Sequence, residues 1–270
     1  MKITFVGGGN MAAALLGGLR KQGYSAAAMQ VVEPQEEARA RLSDDFGVRC
    51  TAAMDAAALN CEVLLLAVKP QQMKEALAPA VGRLQQQLVI SIAAGLRLAD
   101  IGRWLDGYHN LVRAMPNTPA LIGAGVTGLC AAAKVDHESR STAEKILQAV
   151  GSTLWLDDES LLDAVTAVSG CGPAYVFYFI EALQQAGVAN GLTPAIANRL
   201  ALETFRGAAL LAAQSDESAA ALRARVTSKG GATAAALETF AALGVAAGFN
   251  EGVAAACRRS RELSEILGDA

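Results

Sequence analysis

Charge is scarce in this sequence, and so are aromatic rings, histidines and paired cysteines. Charged residues make up 18% of the 270 positions and leave a formal net charge of −3. That balance excludes the basic footprint of a nucleic-acid binder and a polybasic membrane-surface face. Small molecules and further copies of the chain remain as partners. Aromatics are only 5% against 53% hydrophobic residues, so the apolar mass is Ala, Leu, Val and Ile, which favours helices packed closely through small side chains. With so little charge, much apolar surface needs covering, and a subunit interface is the expected cover. The five cysteines are scattered and form no C-x-x-C pair, which predicts a reduced, cytoplasmic chain without a metal site. Lys2 to Val6 reads directly as a strand, with no export signal before it. Ala114 to Ala133 carries no charge, but Pro116, Asn117, Pro119, Gly123, Gly125 and Gly128 make it a loop and strand, not a membrane helix.

What is present divides the chain in two, and its length allows two ordinary domains. In the first half, short β-branched runs at Ile3–Val6, Gln30–Val32, Val48–Cys50, Val63–Val68, Leu88–Ile92 and Leu111–Ala114 alternate with helical stretches. Strands at Ala124–Cys130 and Thr153–Leu156 flank a helix at His137–Val150. This alternation predicts an α/β domain, a parallel sheet with crossover helices, over residues 1–158. From 159 to 270 no β-rich run recurs, and breaks at 191–194, 214–216, 229–231 and 244 predict about five helices.

Ile3 to Ala12 reads as strand, glycine turn and helix start, with Gly7, Gly9 and Ala12 in the G-x-G-x-x-G/A positions. Gly7, Gly8, Gly9, Asn10 and Met11 are therefore the candidate pyrophosphate site, where backbone N–H groups and the helix dipole meet an anion. Glu33 follows about 20 residues on, where an acidic side chain binds the adenosine ribose of NAD. Ala67, Val68, Lys69 and Pro70 end a buried strand at the carboxyl edge of the sheet, and Ala93 sits in the small-residue end of the next. The rigid Met115-Pro116-Asn117-Thr118-Pro119 loop offers Asn117 for substrate positioning. Ser169 lies in a glycine-interrupted run, Ser169-Gly170-Cys171-Gly172-Pro173, that opens a helix. Thr227 to Thr233 is a turn into an Ala-rich helix, and Gly230, Gly231 and Ala232 present N–H groups suited to a carboxylate. The helical half has no histidine and only one lysine, Lys229, in a loop, so it lacks the donor on which hydroxyacid dehydrogenases of this plan depend.

Through Phe5–Met11, Ala67–Pro70, Met115–Pro119, Ser169–Tyr175 and Thr227–Thr233, the chain resembles the Δ1-pyrroline-5-carboxylate reductase family over its whole length. The resemblance implies a Rossmann domain followed by a helical dimerisation domain that completes the active site across subunits. It also implies reduction of a cyclic imine to L-proline by NADPH or NADH, in a homodimer that assembles to a decamer. Under that reading Thr233 and Ser228 are the catalytic candidates, and Asn117, Ser169 and Gly230 to Ala232 bind substrate. Two departures stand out: Glu33 replaces the small polar residue common near a 2′-phosphate, and Cys171 replaces a serine between the two glycines. A 3-hydroxyacid dehydrogenase-like enzyme and a non-catalytic nucleotide-binding protein are the alternatives.

Overall fold

A computed structural model describes residues 1–268. Eight strands form one sheet in the order β3-β2-β1-β4-β5-β6-β7-β8. They are β1 (Ile3–Val6), β2 (Met29–Val32), β3 (Arg49–Thr51), β4 (Val63–Leu66), β5 (Leu88–Ser91), β6 (Leu111–Met115), β7 (Gly125–Ala131) and β8 (Gly151–Trp155). All neighbours pair in parallel except β6 and β7, which run antiparallel with Met115 opposite Gly128. The expectation of a wholly parallel sheet is corrected there. A parallel return takes a crossover of a dozen or more residues, and the short double-proline loop from Met115 to Gly125 cannot supply one.

The central strands β1, β4 and β5 are buried on both faces, which is why they read as nearly continuous apolar runs, whereas the edge strands β3 and β8 stay partly exposed. Along β4, Val63 and Leu65 join one core with Phe5, Leu15, Leu19 and Ile90, while Leu64 and Leu66 join another with Val6, Met73, Val89 and Leu111. The helices here are α1 (Asn10–Lys21), α2 (Glu36–Phe46), α3 (Ala56–Leu59), α4 (Met73–Leu77), α5 (Leu98–Trp104) and α6 (His137–Leu147). Helix α1 buries Ala12, Leu15, Leu16 and Leu19, and each leucine contributes about 1.5–3 kcal/mol of transfer free energy. That stripe fixes the helix whose N-terminus faces the glycine turn.

Beyond the sheet lie α7 (Leu161–Val165), α8 (Gly172–Ala189), α9 (Pro194–Ala213), α10 (Ala219–Arg225), α11 (Ala232–Ala242) and α12 (Val245–Gly268), with a π-helical turn at Thr166–Gly170 before α8. A boundary at residue 158 is not where compactness divides the chain. The first unit is residues 1–171 with the end of α12 from Ala256, and the second is Gly172–Ala255. Two contacts explain the difference: fully buried Leu162 completes the second core, and the Ser260 hydroxyl donates to buried Asp163 at 2.7 Å. Small residues spaced four apart on α12, Ser260, Ser264 and Gly268, form its buried stripe.

In the second unit, α8 and α11 contain no buried residue and α9 buries only Ala197 and Ala201. Phe177, Tyr178, Phe240 and Leu243 are all more than half exposed. A single copy therefore leaves this unit almost without a core.

Candidate active site

In this doubly wound sheet the strand order reverses between β1 and β4, and ligands bind beyond the carboxyl ends of the strands at such a point. Gly7 leaves β1 at φ +99°, donates its N–H to the Val32 carbonyl at 2.8 Å, and a Cβ on it would lie 2.7 Å from the Ala67 carbonyl oxygen. A Cβ on Gly8 would strike Leu42 and Glu33, whereas one on Gly9 meets nothing within 4 Å. Gly7 and Gly8 are thus required by the protein's own packing, and Gly9 opens outward. Gly9 is the N-cap of α1 and supplies no side-chain cap, so the exposed Asn10 and half-buried Met11 begin a helix whose free N–H groups and positive dipole end suit a pyrophosphate. These features fit a dinucleotide.

Glu33 follows β2 and is held by two backbone N–H groups: Gly8 donates to Oε2 at 2.8 Å and Gln35 to Oε1 at 2.9 Å. Arg39 donates to the Glu33 and Pro34 carbonyls at 2.9 and 2.6 Å, closing the same turn. At the neighbouring strand ends, Ala67 donates its N–H to Val6 at 2.7 Å, Val68 is half-buried, and Lys69 is exposed as it caps the helical turn opened by Pro70. Ala93 is buried beside exposed Ala94 at the end of β5. The sheet edge thus gathers the cofactor candidates from four loops, those after β1, β2, β4 and β5.

Asn117 is engaged within the protein itself. It is buried, its oxygen accepts the Val126 N–H at 2.9 Å, and its Nδ2 donates to the Ser169 carbonyl at 3.1 Å. The Ser169 hydroxyl in turn donates to Val165 at 3.0 Å. Asn117 is a brace between β7 and the π-turn. Sequence reasoning also missed the buried Arg113 guanidinium, which pairs with Glu159 at 3.0 Å while Glu159 accepts the Leu98 N–H at 2.8 Å. Among the described residues no group of three His, Cys, Asp or Glu side chains is placed to hold a metal ion.

In the second unit, Gly230 takes φ +71° and Gly231 caps α11 with no side-chain hydrogen bond. The turn closes through the Ser228 carbonyl, which accepts the Gly231 N–H at 3.0 Å. Nearby Thr227 and Thr239 spend their hydroxyls on carbonyls one turn earlier. Among the described residues, exposed Ser228 and Thr233 make no side-chain hydrogen bond. Ala232 and Thr233 therefore open a helix with unsatisfied N–H groups and a free hydroxyl.

Residues 159–263 match the profile described as pyrroline-5-carboxylate reductase dimerisation, and residues 2–95 match that of NADP oxidoreductase, coenzyme F420-dependent. The chain is 46% identical to the pyrroline-5-carboxylate reductase of Pseudomonas aeruginosa, over 99% of this chain and 98% of that one. The chain belongs to the pyrroline-5-carboxylate reductase family. The structure of the Coxiella burnetii member superposes with a TM-score of 0.90 at 38% identity, covering 97% of this chain and 98% of that one. The Plasmodium falciparum member, solved with NADP bound, gives 0.87 at 29% identity over 98% of each. This reductase is accordingly an NAD(P)H-dependent oxidoreductase with a Rossmann unit and a helical dimerisation region.

Proposed function

We propose that this protein reduces 1-pyrroline-5-carboxylate to L-proline, the last step of proline biosynthesis. The observation that carries the reading at the level of geometry is the N-terminus of α11, which is uncapped, preceded by a left-handed glycine, and followed by the unengaged Thr233 hydroxyl. The N–H groups of Gly230 and Ala232 hold the substrate carboxylate, while that of Gly231 closes the turn on the Ser228 carbonyl. Thr233 meets the ring nitrogen, and Ser228 stands beside the same turn with its hydroxyl available. A bound nicotinamide supplies hydride to the imine carbon. Because a pyrroline nitrogen is protonated to a useful extent near neutral pH, the enzyme need not carry a strong acid, and its main task is to orient the imine. Within the first unit, Ala93, Lys69 and Pro70 stand at the sheet edge among the cofactor candidates, and Asn117 braces the Ser169 carbonyl.

A hydroxyacid dehydrogenase needs a donor for the developing alkoxide. The helical half offers no histidine and no helix-borne lysine for that task. Oxidation of NADPH or NADH on addition of pyrroline-5-carboxylate, beside a 3-keto acid control, tests the assignment. Turnover of the keto acid alone would replace it.

The partner is a second copy. The second unit carries an apolar groove lined by Tyr175, Phe179, Phe205, Phe240 and Phe249, continuous with its exposed leucines. Covering it gives the homodimer, the unit from which the decamer implied by the family resemblance is built. Five unpaired cysteines suit a reducing, cytoplasmic compartment.

A further inference from the structure

We propose that Glu33 makes this enzyme select NADH over NADPH. The inference rests on the dinucleotide site at the Gly7–Ala12 turn and goes beyond it by choosing between the two cofactors. The profile matched by residues 2–95 is described for NADP, and the Plasmodium falciparum structure holds NADP. This chain's own residues point the other way.

The Glu33 carboxylate is not free to turn away from a bound nucleotide. Its Oε2 accepts the N–H of Gly8, a buried residue of the glycine turn, and its Oε1 accepts the N–H of Gln35. Swinging the side chain into solvent would leave the Gly8 amide buried and unpaired, which proteins avoid. The negative charge is thereby fixed at the end of β2, next to the turn that receives the pyrophosphate. Each carboxylate oxygen has accepting capacity for more than one donor, so both can still take a ribose hydroxyl. A 2′-phosphate has no such hydroxyl to donate and carries nearly two negative charges.

The surroundings add to the bias. Glu36 and Glu37 occupy the first turn of α2 and fill with negative charge the helix end that would otherwise favour a phosphate. Arg39 follows on α2, and its Nη1 donates to the Glu33 and Pro34 carbonyls, which holds that end of its guanidinium on the β2–α2 turn. A phosphate at this corner would meet the fixed Glu33 carboxylate beside a helix end that already carries two further negative charges.

The test is direct binding of NADH and NADPH to the full-length protein, followed by nucleotide fluorescence without substrate, so it does not depend on imine reduction. The wild-type Kd for NADPH is expected to exceed that for NADH by at least tenfold, and Glu33→Gln should reduce that ratio at least fivefold while the protein stays folded by circular dichroism. Equal affinities in the wild type, or tighter NADPH, would overturn the proposal even if no variant folds. An unchanged ratio in folded Glu33→Gln, or equal loss of both nucleotides, would show that Glu33 only staples the turn. Failure of both nucleotides to bind the wild type would instead remove the dinucleotide site itself.

Discussion

The side-chain amide of Asn117 donates to the carbonyl of Ser169, the carbonyl that Pro173, four residues on and without an N–H, cannot satisfy. The helix passes this point as a π-turn, with the Cys171 N–H on the Thr166 carbonyl at 2.8 Å. Such turns recur at functional sites, and here one leads directly into α8.

Removing that brace should be costly. Asn117→Ala strands the Ser169 carbonyl and the Val126 N–H, both half-buried, at about 1–3 kcal/mol for each group left unpaired. Thermal unfolding should fall by at least about 4 °C, since about 1 kcal/mol shifts Tm by roughly 2–4 °C in a chain of this size. An unchanged Tm would show that water replaces the amide at no cost.

Gly7 and Gly9 should separate folding from cofactor binding. Gly7→Ala places a methyl 2.7 Å from the Ala67 oxygen at φ +99°, and is expected to lower stability measurably in denaturant unfolding. Gly9→Val points into open space and should leave the unfolding midpoint near the wild type while abolishing nucleotide binding. Tight NADH or NADPH binding by folded Gly9→Val would place the pyrophosphate elsewhere.

Much of this was legible in residue pattern alone. Each strand before β7 lies within two residues of an expected apolar run, most clearly β1, β4 and β5, which are buried on both faces and so are largely apolar. The glycine turn was legible for a similar reason, since its constraints are local. Strand direction was not: β7 has the composition of any buried strand, and only the shortness of the 116–124 loop hinted that it returns antiparallel. The brace at Asn117 was read as a substrate contact because an asparagine in a double-proline loop has the same local signature in either role. The return of α12 to the first unit left a signal that went unread, the small residues Ser260, Ser264 and Gly268 at four-residue spacing. Its partners Asp163 and Asp100 lie far away in sequence, and nothing local names them.

Alkaline stability should depend on Tyr108. Burial, with the Cys61 charge adding to it, pushes its phenol from 10.0 up to about 12, and its O–H donates to the Gln87 carbonyl at 2.5 Å. The folded state therefore holds this proton more tightly than the unfolded chain. Its contribution is complete below pH 10 and is lost as pH rises toward about 12. Urea midpoints measured across that window should decline more steeply for the wild type than for Tyr108→Phe, and parallel slopes would assign the decline to other groups.

Dilution should expose the bare second unit. With no buried residue on α8 or α11, its stability depends on a partner copy, so activity and Tm should fall together as protomer concentration drops. Sedimentation of a fully active monomer would contradict the dimer.

The most direct test of the site is kcat/KM for pyrroline-5-carboxylate in Thr233→Ala. If the Thr233 hydroxyl orients a ring nitrogen that is already protonated, a neutral hydrogen bond contributing about 1–3 kcal/mol is lost and kcat/KM falls roughly 10- to 100-fold. A change of less than about twofold would reduce Thr233 to an ordinary first-turn residue of α11, and a loss beyond about 10⁴-fold would make it an essential acid and contradict catalysis by positioning.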